Sequence, residues 1–201
     1  RLTHRGAVNA DGKTGDGCGL LIKFPESFLR EVGAEAGMTL GNRFAAGTVF
    51  LSQDQGEAVV AREIIGQAIE ANGLEVAGWR VVPTNPSVCG DLAKRTLPRI
   101  EQVFVNAPGD MQRDRFNRRL FLARRYAENR LTDRTTYVAS LSSATISYKG
   151  MTMPAALPEF YLDLKDPRLR SSVCVFHQRF STNTLPQWRL AQPFRFLAHN
   201  G

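Results

Sequence analysis

Apolar residues along this chain fall into two patterns. Short runs of strand length alternate with longer segments in which they recur every three or four positions, the periods of a buried strand and of a one-sided helix. Residues 19–24 read as a short buried strand, and Pro25 then suits a helix start, with Phe28, Leu29 and Val32 as the apolar stripe before Gly33 and Gly37 weaken it. A second strand is expected over 44–51. A helix is expected over 58–71, where Val59, Val60, Ile64, Ile65, Ala68 and Ile69 keep helical spacing and Asn72-Gly73 stops it. Residues 79–82 and the β-branched run 100–105 read as further strands. After Pro108-Gly109, Phe116, Leu120, Ala123, Ala127 and Leu131 share one helical face. Residues 135–141 and 144–148 read as a hairpin about Ser142-Ser143, and 173–179 and 194–198 as the last two strands. Adjacent strands mixed with helices predict α+β layers and not a regular βαβ wind.

Composition narrows the class. With 43% of 201 residues apolar, the chain can bury the core of one domain or a large part of one. No run of 18 apolar residues suggests a membrane span, and the first six residues carry no signal-peptide pattern, so a soluble intracellular setting is expected. Cys18, Cys89 and Cys174 are odd in number and widely spaced, which argues against a disulfide framework or zinc site and for reduced, buried thiols. The net charge of +7 raises the question of nucleic acid. Much of the excess, however, sits at Arg113, Arg115, Arg118, Arg119, Arg124, Arg125, Arg130 and Arg134, around the apolar stripe of one helix. A solvated or interdomain helix face accounts for it, and no nucleic-acid motif or basic tail accompanies it.

Two segments carry candidate chemistry. Near the start, Thr3-His4-Arg5-Gly6-Ala7 is followed by Thr14-Gly15-Asp16-Gly17-Cys18-Gly19, whose glycines allow close backbone approach or positive φ. Neither a phosphate loop nor a dinucleotide fingerprint fits it, and alone it reads as a glycine turn beside a packed strand. Near the end comes Phe176-His177-Gln178-Arg179-Phe180-Ser181-Thr182-Asn183-Thr184, then His199-Asn200-Gly201. Arg179 offers a guanidinium fork for a carboxylate, with Thr182 and Asn183 able to complete the hydrogen bonds. Asn200 and the Gly201 N–H are the pair of donors an oxyanion hole requires, although alone they read as a turn.

Together with Lys13-Thr14-Gly15-Asp16-Gly17 and Pro186-Gln187-Trp188, these segments, in this order, resemble the glutaminase domain of glutamate synthases, class II amidotransferases of the N-terminal-nucleophile hydrolase fold. The resemblance spans essentially the whole chain. It implies an αββα sandwich of two antiparallel sheets flanked by helices, incomplete at both ends, with residues 1–201 a partial amidotransferase domain. An N-terminal cysteine would attack L-glutamine with its own α-amino group as base. Arg179, Thr182 and Asn183 would hold the substrate, Asn200 and Gly201 would form the oxyanion hole, and Arg5 would support the site.

Residue 1 is arginine, so the nucleophile is expected upstream and the fragment alone is expected to be inactive. Cys18 is assigned to packing. The longer protein is expected to pass ammonia to 2-oxoglutarate through downstream synthase domains of the same chain, with FMN and an iron–sulfur cluster. An NADPH-oxidising small subunit in the bacterial cytoplasm is favoured over ferredoxin. No metal, cofactor, nucleic-acid or membrane site is expected within residues 1–201. The alternatives are a catalytically silent glutamine sensor and, less favoured, a basic nucleic-acid-binding protein.

Overall fold

The computed structural model describes residues 11–178 and 186–195. Its elements run β1 (Thr14–Lys23), α1 (Glu26–Glu35), β2 (Phe44–Leu51), α2 (Gln55–Ala71), β3 (Glu75–Val81), α3 (Asp91–Arg95) and β4 (Arg99–Asn106). Then follow α4 (Arg113–Glu128), β5 (Tyr137–Val138), β6 (Thr145–Thr152), α5 (Leu157–Phe160) and β7 (Cys174–His177), with short 3₁₀ turns between and after them. The strands form two antiparallel sheets, β6-β1-β7 and β3-β4-β2-β5. This is the α+β architecture of two antiparallel sheets with helices that the sequence predicts.

Two cores follow from strand alternation. On β2, Phe44, Ala46 and Phe50 face the space between the sheets, where they meet Cys18 and Ile22 of β1, Ile146 and Tyr148 of β6, and Phe28, Leu29 and Val32 of α1. Ala45, Val49 and Leu51 face the other way, onto Ala58, Ala61, Ile65 and Ile69 of α2 and Phe116, Leu120 and Ala123 of α4. Burial on both faces explains why β2 reads as an unbroken apolar run without alternation. Asp54 caps α2, its carboxylate accepting from the Glu57 N–H at 2.9 Å, an interaction worth about 1 kcal/mol.

The arginine-rich segment forms α4 as expected, and several arginines in it and just after it have partners within the chain. Arg124 and Arg125 pair with Glu128, Arg119 donates to the Asn72 carbonyl that ends α2, and Arg130 lies over the Tyr126 ring.

Three expectations change. Residues 135–141 and 144–148 are not a hairpin: β5 pairs with β2 in one sheet and β6 with β1 in the other. The chain crosses between sheets here. The Ser140 hydroxyl accepts from the backbone N–H groups of Thr48 and Ser147, and Ser142 bridges to Ala46. The glycine run 14–19 is not a turn either but the first half of β1, bulged between Thr14 and Cys18, with Gly17 at φ 125°. It must be glycine-rich because a Cβ on Gly15 would lie 2.4 Å from the Thr152 carbonyl oxygen. Finally, the strand expected at 194–198 is irregular at Phe194 and Arg195, and its remainder lies outside the described residues.

Candidate active site

The six residues singled out for glutamine chemistry, Arg5, Arg179, Thr182, Asn183, Asn200 and Gly201, lie outside the described residues. What the structure describes are the segments that lead to them. β7 runs antiparallel to β1, with Ile22 opposite Cys174, Leu21 opposite Val175, Leu20 opposite Phe176 and Gly19 opposite His177. The Phe176-His177-Gln178 lead-in to Arg179 therefore reaches β1 at the glycine run.

The second lead-in, residues 186–195, reaches the same place. The Gln192 carbonyl oxygen lies 2.6 Å from where a Cβ on Gly19 would stand, and the Trp188 ring lies 2.4 Å from where one on Gly150 would stand. Both glycines are on paired strands, and a side chain at Gly19 would meet Lys149 Cβ of β6 at 2.5 Å as well as this segment. Trp188 is buried, and its indole N–H donates to the Ala93 carbonyl at 3.1 Å. Gly19 thus joins the first sequence motif to both arms of the second, a junction that periodicity could not reveal.

The base of β1 is fixed by Asp11. Its carboxylate accepts from the Thr14 hydroxyl and from the backbone N–H groups of Thr14, Lys13 and Leu92, so it ties β1 to the start of α3. The Thr14 hydroxyl, foremost among these donors, holds the Asp11 carboxyl well below the usual carboxylate range. Gly90 permits this junction, since a Cβ there would fall 2.2 Å from the Thr14 hydroxyl oxygen.

None of the three thiols is built to attack. Cys18 is buried and donates to the Thr152 carbonyl at 3.2 Å, and burial pushes its pKa up to about 11. Burial does the same to Cys89, also to about 11. Cys174, expected to be buried, is instead exposed on β7, with its pKa likewise raised. A nucleophilic cysteine needs the opposite environment, electropositive and partly open. The described residues hold no group of three or more His, Cys, Asp or Glu able to bind a metal. No described helix is long and apolar enough to cross a membrane.

Lys149, one residue past the strand expected over 144–148, is fully buried beside residues 186–195. A pocket of about 450 Å³ opens on the other side of that segment, between the end of β2, residues 95–98 and residues 186–189. Arg95, Arg134 and Arg189 line it, with no carboxylate among its described lining residues.

Comparison with known proteins places this arrangement. The chain is 42% identical to ferredoxin-dependent glutamate synthase 2 of Synechocystis and 41% identical to the large chain of NADPH glutamate synthase of Bacillus subtilis, each over all of its length. It is 39% identical to the chloroplastic ferredoxin-dependent enzyme of rice, again over all of its length. The chain spans about 13% of the length of these relatives. All of residues 1–201 match the family of glutamine amidotransferases class-II, and the chain belongs to that family.

Proposed function

We propose that this chain is the glutamine-hydrolysing part of a glutamate synthase. The observation that carries the reading is the convergence on Gly19. The strand leading to Arg179 pairs with it and the segment leading to Asn200-Gly201 packs flat on it, as one substrate pocket built from both motifs requires. In the proposed reaction a cysteine thiol outside these 201 residues, at the mature N-terminus, attacks the glutamine amide carbon. Its α-amine, with an ordinary pKa of about 7.7–8.0, takes the thiol proton and returns it to the departing nitrogen. The C–N bond breaks, ammonia leaves, and water then cleaves the thioester to release glutamate. Arg179 with Thr182 and Asn183 holds the substrate carboxylate, Asn200 and the Gly201 N–H stabilise the oxyanion, and Arg5 supports the site.

The same proposal sends the ammonia to 2-oxoglutarate in synthase domains of a longer chain that would hold FMN and an iron–sulfur cluster, in the bacterial cytoplasm with an NADPH-oxidising small subunit. Relatives named for NADPH and for ferredoxin match about equally well, since the residues compared here are remote from electron entry in this scheme. By itself the 201-residue chain is expected to hydrolyse no glutamine.

The test is to treat the full-length gene product with an electrophilic glutamine analogue and map the adduct by mass spectrometry. A label on an N-terminal cysteine, blocked by excess glutamine, supports the reading. No label, or one on Cys18, Cys89 or Cys174, would replace it with the glutamine-sensor reading.

A further inference from the structure

Lysine is rarely buried completely, because withdrawing an ammonium from water costs several kcal/mol unless a charge repays it. Lys149 is 0% exposed in the middle of β6, and among the described residues no carboxylate forms an ion pair with it. Its ammonium donates to the Arg189 carbonyl at 3.1 Å and lies 4.3 Å from the Phe194 ring centre and 4.8 Å from that of Tyr137. Arg189 and Phe194 both belong to the segment packed on Gly19 and Gly150. Tyr137 comes from β5 in the other sheet. One buried amine nitrogen therefore touches this segment at two points, five residues apart, and braces it against both sheets.

We propose that Lys149 is a positioning residue that fastens residues 186–195 to β6, and with them the arm that precedes the proposed oxyanion donors Asn200 and Gly201 in the chain. This rests on the glutaminase reading given above. A methionine of similar length would fill the space without the desolvation penalty, so packing alone does not explain a lysine here. The surroundings do not favour the charge either: burial first, and then the nearby Arg124 guanidinium, lower its pKa to about 7. What lysine adds over methionine is directional hold on the Arg189 carbonyl and on two ring faces.

The experiment uses the full-length gene product carrying Lys149→Met. Hydrogen exchange of the amides of residues 189–195 is expected to rise at least tenfold while Tm is unchanged or higher. Glutamine hydrolysis should show kcat lowered about tenfold to a hundredfold with KM within about twofold, as misplacing a catalytic donor by about 1 Å does. Phe194→Leu, which removes one ring face from the segment's side and leaves β6 intact, should shift exchange and kcat in the same direction, and it decides the matter if Lys149→Met fails to fold. Wild-type exchange in both variants, or a fall in Tm with kcat and KM unchanged, would overturn the proposal. If the wild-type protein hydrolyses no glutamine, the functional reading falls, and the exchange result alone judges whether Lys149 fastens the segment.

Discussion

Removing the carboxylate of Asp163 should unfasten the two sheets from each other. Arg80 on β3 donates to Gln102 Oε1 on β4 at 2.7 Å and to both carboxylate oxygens of Asp163. Tyr148 on β6 donates its hydroxyl to Asp163 Oδ2 at 3.0 Å and receives the Gln102 amide at 3.4 Å. Three side chains from the two sheets and Asp163, from the 3₁₀ turn after α5, thus close a polar ring inside the core. Asp163 is 3% and Arg80 11% exposed. Asp163→Asn keeps the shape but leaves a guanidinium buried without its counter-charge, a loss of about 3–5 kcal/mol. The small exposure of Arg80 admits some water, so the lower end, about 3 kcal/mol, is expected. For a chain of this size that is a fall in Tm of about 6–12 °C. With a urea slope of about 2 kcal/mol/M it moves the midpoint by about 1.5 M. Urea unfolding of the 201-residue chain followed by tryptophan fluorescence reads this directly. The double variant Arg80→Met/Asp163→Leu should recover most of the loss, because both charges then leave the core together. A single-variant loss below about 1 kcal/mol, or a double variant no better than the single one, would refute the ring as the inter-sheet fastener.

Three further outcomes follow from the site. Gly19→Ala should lower glutamine hydrolysis by the full-length protein at least tenfold, because its methyl would meet Lys149 Cβ of β6 at 2.5 Å and the Gln192 carbonyl oxygen at 2.6 Å and force them apart; a wild-type rate in steady-state assay would remove Gly19 from the site. Cys18→Ala should leave labelling by the glutamine analogue intact, since this thiol packs and donates to Thr152; loss of the label in a folded variant would put the adduct on Cys18 and favour the glutamine-sensor reading. Stability should also depend on pH through Lys149. Its pKa falls from 10.5 unfolded to about 7 folded, so between those values the unfolded chain binds the extra proton and stability rises with pH, by at most about 5 kcal/mol. Cys18 and Cys89, raised from 9.0 to about 11, work the other way above pH 9. The wild-type minus Lys149→Met difference in urea stability is therefore read between pH 7 and 8.5. A flat difference there would show that the lysine is not desolvated.

Local patterns in the sequence determined much of this protein. The stripes Phe28-Leu29-Val32, Ile65-Ala68-Ile69 and Phe116-Leu120-Ala123 located α1, α2 and α4, because an amphipathic helix records its buried face within a few residues. The runs 44–51 and 100–105 located β2 and β4, the strands buried on both faces. The motifs around Arg179 and Asn200 named the family, which the comparisons bear out, because a substrate site imposes residue types that packing does not. Tertiary structure decided the rest. Whether 135–141 and 144–148 pair with each other or with β2 and β1 depends on partners about 90 to 130 residues away, and strand alternation carries no label for its partner. The glycine run 14–19 belongs to a strand only because the backbone of Thr152 approaches it. Nothing in the sequence marks Lys149, and tertiary structure withdraws it from water by bringing residues 186–195 and Tyr137 of the other sheet against it.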